Sequence, residues 1–223
     1  MCGFLGHISD FEIDQSQLFS SNKFTECRGP DQLKHDKETL ELKNNKKLFL
    51  EFIFNRLAII DLSEKASQPM KNYLGNKILF NGEIFNHKEL KKDLIAKGAK
   101  FYSQKSDTEV LLNGLSLDGI SFIDKVIGQF SIAYLDMTNK KLHLIRDRLG
   151  QKPMFYFSSK HQFIFGSNLK SVSSLVSNLE ISNDALIEYI SNGVVSAPNT
   201  IFSNFYKLLP GEHLTINLNH NLN

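Results

Sequence analysis

Met1-Cys2-Gly3-Phe4-Leu5-Gly6-His7-Ile8-Ser9 opens the chain, and the reading of its first three residues decides the rest. Cys2 is one of two cysteines. It stands where removal of the initiator methionine makes it the amino terminus, and a side chain this small permits that removal. A thiol and a free α-amine would then share one residue. A thiol attacks a carbonyl as its thiolate and needs a base to reach that state. The α-amine titrates near ~7.7–8.0 against ~10.4 for lysine, so a useful share is neutral at pH 7 and can take the thiol proton, directly or through one water. The plain alternative is that Cys2 merely precedes a first strand.

Composition narrows the class. The chain has 223 residues, 41% of them hydrophobic, enough for one large domain. A net charge of +2 supplies no field for nucleic acid or membrane surfaces. No apolar run approaches the roughly 20 residues of a membrane span, and the start lacks the charged and apolar regions of a signal peptide. Two cysteines make no disulfide framework, and no Cys/His spacing suggests zinc, so no metal is expected. The expected setting is the cytoplasm, with reduced thiols.

Along the chain, residues 10–27 are polar with scattered apolar positions and admit a short helix. Arg28-Gly29-Pro30-Asp31 reads as a turn. Lys43 to Lys47 reads as a solvated hairpin tip, and Leu48 to Phe54 as a buried strand. Arg56 to Leu62 reads as a second β segment ending at Ser67-Gln68-Pro69. Lys77 to Phe80 is a short strand running into an Asn81-Gly82 turn. Asn86 with Glu89 and Ser106 with Glu109 resemble capping boxes. The first precedes a helix with Leu90, Leu94 and Ile95 on its apolar face and Gly98 past its end. The second precedes Val110, Leu111, Leu112 and Leu115. Strands follow at Gln129–Asp136, Lys141–Ile145, Pro153–Phe157 and Gln162–Phe165. Ser182 caps a helix with face Ala185, Leu186, Tyr189 and Ile190, ending at Gly193. Glu212–Leu218 is a last strand, and 219–223 a polar, frayed tail. Strands at both ends with helices between 86 and 118 point to a layered α+β fold.

A thiol nucleophile also needs an oxyanion hole and a grip on its substrate. Asn81-Gly82 can offer a side-chain amide and a backbone N–H to one oxyanion, each such donor worth roughly 3 kcal/mol in the transition state; the alternative is an ordinary Asn-Gly turn. Arg56 follows a very apolar strand, where an unpaired charge is costly. Its fork suits a substrate carboxylate, or it snorkels to water. Asp107 either satisfies the dipole of a helix capped by Ser106 or holds a substrate ammonium. Together Arg56 and Asp107 would recognise both charges of an α-amino acid.

These residues carry a resemblance. Met1-Cys-Gly3, Arg28-Gly-Pro-Asp31, Arg56-Leu-Ala-Ile-Ile-Asp61, Asn81-Gly-Glu-Ile-Phe-Asn86, Ser106-Asp-Thr-Glu109, Arg146-Asp-Arg-Leu-Gly-Gln-Lys-Pro153 and Lys207-Leu-Leu-Pro-Gly211 occur in the order and approximate spacing of the class II glutamine amidotransferase domain of asparagine synthetases. The likeness spans essentially 1–223, as a single amidotransferase type-2 domain. It implies an N-terminal nucleophile hydrolase fold, two antiparallel sheets between helix layers (αββα). It implies that Cys2 attacks the carboxamide of glutamine, that Asn81 and Gly82 hold the oxyanion, and that water releases glutamate from a thioester. By the same resemblance Arg56 binds the α-carboxylate and Asp107 the α-amino group. Backbone groups of Leu57, Ile59, Ile60 and Glu83 line the pocket, and the Arg28–Asp31 loop lies near it.

The chain departs from the usual pattern at Cys27 and Phe54, where the family has His, at Gln129 and Ser131, where it has Met and Ala, and at Asn168, where it has Glu. It also looks shorter ahead of Cys27. Nothing resembles the family's ATP pyrophosphatase loop, Ser-Gly-Gly-x-Asp-Ser, or a phosphate-binding Gly-x-x-x-x-Gly-Lys loop. The expectation is a glutaminase half, a truncated product or a separate subunit, needing no cofactor for its own step. It would feed ammonia to a synthetase partner that uses ATP and Mg to amidate aspartate. The rivals are amidation of another carboxylate, such as a sugar acid, and a non-catalytic scaffold retaining the fold.

Overall fold

The computed structural model describes residues 2–42, 46–59, 61–219 and 222. Strands β1 (Gly3–Ser9), β2 (Gln32–Glu41), β3 (Lys47–Arg56), β8 (Phe155–Ser158), β9 (Gln162–Gly166) and β10 (Phe205–Lys207) form one antiparallel sheet in the order β10-β8-β9-β1-β3-β2. A second sheet has β4 (Met70–Lys71), β5 (Lys77–Ile84), β6 (Gly128–Asp136), β7 (Lys141–Arg146) and β11 (His213–Asn217) in the order β11-β7-β6-β5-β4. Helices α1 (Gln15–Glu26) and α4 (Leu169–Ser173) cover the first sheet; α2 (His87–Ala96) and α3 (Asp107–Asp118) cover the second. Helix α5 (Asn183–Asn192) lies in the segment before β10. The layer order is helix, sheet, sheet, helix, as expected of αββα. Among the described residues no helix is long and apolar enough to cross a membrane.

Strand periodicity builds the layers. Alternate residues of β1 and β3, Phe4, Ile8, Leu50, Phe52 and Phe54, meet Leu79, Ala133, Leu135, Leu142 and Leu144 of the second sheet in the central core. Their neighbours Leu5 and Ile53 turn outward against Leu18 of α1 and Val172 of α4. On the far side Ile78, Phe80, Ile132 and Tyr134 pack on Leu90, Leu94, Val110 and Leu111. Strands buried on both faces read as near-continuous apolar runs, which is why Leu48–Phe54 stands out. At one edge the buried Lys77 reaches across the sheets to Asp36 and Glu38 of β2.

Several local expectations are corrected. The β segment expected over Arg56–Leu62 ends at Arg56; beyond it Ile59 and Leu62 are exposed, with no strand to pair against among the described residues. Asn81-Gly82 is no turn but mid-strand in β5, opposite Ser131 and Phe130. A Cβ on Gly82 would lie 2.1 Å from the Gln129 carbonyl oxygen, so the glycine serves close strand approach rather than a bend. Asn86 precedes α2 without capping it, because its amide bonds Lys125 O and Ile127 N instead. Ser106 does cap α3 through Glu109 N, while the Glu109 carboxylate turns to Tyr102 N and Ser103 N. Of the face expected on α5 only Ala185 is buried, and Ile95 of α2 is exposed. Strands β2, β4 and β10 and helix α4 add to the expected set. The hairpin tip at 43–45 lies outside the described residues, as do His220, Asn221 and Asn223 of the tail. Leu222 is buried in the central core rather than frayed.

Phe52 is fully buried between the sheets. Phe52→Ala should cost about 3–5 kcal/mol, the usual loss for a large core aromatic, read as a lowered denaturant midpoint at unchanged slope.

Candidate active site

Strand β1 lies between β3 and β9, fully buried, so the residue just ahead of it has little freedom. Gly3 packs against helix α1 so closely that a Cβ there would sit 2.8 Å from the Thr25 carbonyl oxygen. Beneath it, a buried network joins Asn22, Thr25 and Asn55 and fixes α1 to β3. Arg28 donates from Nε to the Cys2 carbonyl at 3.2 Å. Cys2 thus stands half-buried, its Sγ accepting from Leu57 N at 3.4 Å.

The loop after β3 is shaped by charge. The Arg56 guanidinium, largely buried, donates to Ser63 O at 3.0 Å and to Asp61 O. It therefore holds Asp61 and Ser63 against itself in place of the expected strand. Those partners are neutral carbonyls; among the described residues Arg56 forms no ion pair with a carboxylate. Asp31 props the same loop, accepting from Ala58 N at 2.7 Å. Its neighbour Gly29 must be glycine, since a Cβ would meet Asn55 O at 2.1 Å.

Strand β5 brings Asn81 and Gly82 to the same cavity. Asn81 is 1% exposed, yet neither its Oδ1 nor its Nδ2 has a hydrogen-bond partner among the described residues. Buried amides are normally satisfied, so an unmet one facing a cavity is a donor and acceptor kept open. Helix α3 supplies Asp107 at its first turn. The carboxylate accepts from Ile84 N at 3.1 Å and Thr108 N at 2.9 Å. Burial pushes it above the usual carboxylate range, opposed by the Ile84 N–H and by His87.

Cys2, Arg56, Leu57, Ile59, Asn81, Gly82, Glu83 and Asp107 all line one cavity of about 210 Å³. Of the residues expected there only Ile60 is not assigned, since it lies outside the described residues. Burial pushes the Cys2 thiol up; the Leu57 N–H, the chain's amino-terminal charge and the Arg56 guanidinium draw it down, and Asp107 raises it. A thiol so placed is mostly protonated at neutral pH and needs a base before it can attack. The same cavity is lined by a cation, an anion, a thiol and an amide without a partner among the described residues. That arrangement fits a zwitterionic substrate with a carbonyl near the sulfur. Among the described residues no group of three or more His, Cys, Asp or Glu could hold a metal ion.

Sequence reasoning missed further lining residues, Gln68, Thr108, Gln129 and Lys152 among them. Gln68 accepts from Phe80 N at 2.6 Å and donates to Phe80 O and Thr108 Oγ1. Its side chain stands in for a strand partner where β4 has ended, fixing the backbone just before Asn81. The only signal was its place before Pro69, which marks a break without saying where the side chain goes. Asp147, expected only as a turn residue, is buried and accepts from the backbone of Phe130, Leu149, Gln151 and Lys152, so it sets the loop that carries Lys152 to the cavity.

Comparison with known proteins gives the family and the fold. The model of the glutamine amidotransferase domain family matches residues 1–222. Asparagine synthetase [glutamine-hydrolyzing] 2 of Bacillus subtilis is 36% identical over 76% of this chain and 23% of its own length. Asparagine synthetase [glutamine-hydrolyzing] 1 of the same organism is 34% identical over 97% of this chain and 33% of its own. A putative asparagine synthetase of Methanocaldococcus jannaschii is 31% identical over 98% and 44%. The chain therefore spans less than half the length of these curated relatives. The solved glutamine phosphoribosylpyrophosphate amidotransferase from B. subtilis, in complex with ADP and GMP, shares the fold at TM-score 0.67 and 17% identity, covering 97% of this chain and 47% of that one. The architecture is thus the N-terminal nucleophile hydrolase fold, and the chain belongs to the glutamine amidotransferase domain family.

Proposed function

We propose that this chain hydrolyses glutamine to glutamate and ammonia, as the glutaminase half of an asparagine-synthetase-type enzyme. The observation that carries the reading is one cavity lined by Cys2, Arg56, Asn81, Gly82 and Asp107 together. Glutamine enters with its α-carboxylate at Arg56, whose present partners are neutral, and its α-ammonium at Asp107. Leu57, Ile59 and Glu83 line the pocket and would meet the substrate through their backbones, the role the family resemblance also gives Ile60. Once Met1 is removed, the α-amine of Cys2 takes the thiol proton and Sγ attacks the side-chain carbonyl carbon. Asn81 Nδ2 and Gly82 N hold the oxyanion that forms. The tetrahedral adduct collapses, the C–N bond breaks, and ammonia leaves with the proton that the α-amine returns. Water then hydrolyses the thioester and restores the thiol.

The wider assignment follows the relatives, which are longer than this chain and are named asparagine synthetases. Ammonia would pass to a synthetase region or subunit that amidates aspartate with ATP and Mg. The glutaminase step itself asks for no cofactor, and a cytoplasmic setting keeps both thiols reduced.

Glutamate release from glutamine, measured after mass spectrometry has verified loss of Met1, should be abolished by Cys2→Ala. Equal release from parent and Cys2→Ala would sink the proposal.

Asp107→Asn should raise KM for glutamine about 10–100-fold, the worth of one charge-assisted hydrogen bond, with a smaller change in kcat. The pH dependence has a definite sign. Asp107 grips an ammonium only when ionised, and burial raises its pKa in the folded protein. In the parent, kcat/KM should therefore fall as pH drops, starting above the ordinary carboxylate range. Asp107→Asn should lack that limb, and a profile unchanged by the substitution would exclude the ammonium-binding role.

A further inference from the structure

A second cavity, of about 740 Å³, opens at the β4 edge of the second sheet, against helix α3. It shares no lining residue with the cavity at Cys2. Its volume falls within the roughly 300–1,000 Å³ of small-molecule sites.

Its walls are basic. Lys65, Lys71, Lys97 and Lys100 line it against a single carboxylate, that of Glu109. Lys97 is answered by Asp118 at 2.6 Å. Lys65, Lys71 and Lys100 are exposed, and none of them forms an ion pair among the described residues. They come from three separate segments, the turn at Glu64–Ala66, strand β4 and the loop after α2. Three unanswered ammoniums around one concavity draw anions into it.

Two aromatic rings complete the walls. Tyr73 is 85% exposed and Tyr102 71%, yet the backbone under each is pinned. The buried Glu109 carboxylate accepts from Tyr102 N at 2.7 Å, from Ser103 N at 2.8 Å and from the Ser103 hydroxyl. Asn72, just before Tyr73, accepts from Leu74 N at 3.0 Å and Asn76 N at 3.1 Å, and donates to Ser116 Oγ at 2.8 Å. Glu109 and Ser116 both belong to α3, so one helix mounts both tyrosine-bearing loops. A ring held in water on a fixed backbone adds little to the core and offers a flat apolar face for stacking.

We propose that this cavity binds a free nucleotide, with its phosphates at Lys65, Lys71 and Lys100 and its base stacked on the tyrosines. A ligand with a planar ring at one end and a charged chain at the other uses both features at once. A diphosphate, its charge spread over two groups, suits ammoniums from three segments better than a lone phosphate does. The assignment stands apart from the reading of Cys2.

Calorimetric titration of the full chain with ADP tests it. ADP should bind at one site per chain. Lys71→Gln and Lys100→Gln should each weaken binding about tenfold, the lower end for a charge-assisted hydrogen bond. Tyr73→Ala and Tyr102→Ala together should weaken it about tenfold through lost stacking. Pyrophosphate should bind more weakly than ADP, respond to the lysine substitutions and ignore the tyrosine ones. A short oligodeoxyadenylate should bind no more tightly than ADP, since a net charge of +2 gives a strand no track beyond the cavity. No binding at millimolar ADP, or binding indifferent to all four substitutions, would overturn the assignment. Tighter binding of the oligonucleotide would replace the free nucleotide with a strand and overturn it equally.

Discussion

The structure depends on the first strand being an interior one. Strand β1 pairs with β3 along its whole length and with β9 from Leu5 to Ser9, so an end that would ordinarily fray is clamped on both sides. Terminal residues are poorly ordered unless tied down. Here the tie is a double ladder with Phe4, Leu5 and Ile8 wholly buried. The consequence is chemical as well as mechanical. A nucleophile that depends on its own α-amine must sit at a chain end, and a chain end is usable only where the fold makes it rigid.

The same constraint explains the glycines around Cys2. Gly3 lies against the Thr25 carbonyl, and Gly29 against Asn55 O. Each allows a backbone to approach where a methyl group would not fit. The loop over Arg56 is held otherwise, by a guanidinium spending its donors on the carbonyls of its own following residues. A cation whose hydrogen bonds go to neutral oxygens, with only the through-space field of Asp61 against it, has room for an anionic partner in the site. Asn81 presents a related debt in hydrogen bonds. Both features cost stability in the empty protein, and both are the kind of local cost that binding a zwitterion would relieve.

Much of this was legible in the sequence, and the limits were physical. Leu48–Phe54 declares itself a strand because both of its faces are covered, and Ser106 declares a helix start because its hydroxyl has one obvious use. Cys2, Arg56, Asn81, Gly82 and Asp107 were chosen by the chemistry of their types, and they line one cavity. Arg56–Leu62 misled because Leu, Ala and Ile after a strand look like more strand. What overrides that propensity is the arginine folding the loop back on itself, a tertiary effect. Asn81-Gly82 misled because the pair is a turn signal, whereas here the glycine answers the carbonyl of Gln129 on the next strand. Strand β2 escaped because it is an edge strand, polar and largely solvent-facing, with little apolar alternation to read.

Charge placement finally separates this cavity from a merely polar cleft. Arg56 lowers and Asp107 raises the Cys2 thiol, so the two oppose one another at the sulfur, where burial outweighs the Leu57 hydrogen bond and the amino-terminal charge. A thiol held up by burial is a poor nucleophile at rest. That suits a site in which proton removal is coupled to the α-amine and to an ordered substrate, because a standing thiolate would react with any electrophile that reached it. Binding a zwitterion changes the terms in a definite direction. On the proposed reading its carboxylate would compensate Arg56 and its ammonium Asp107, so both fields at the sulfur would weaken together. On that reading the charges that select the substrate would not fix the state of the nucleophile, and the attack would be governed by the groups nearest the carbonyl.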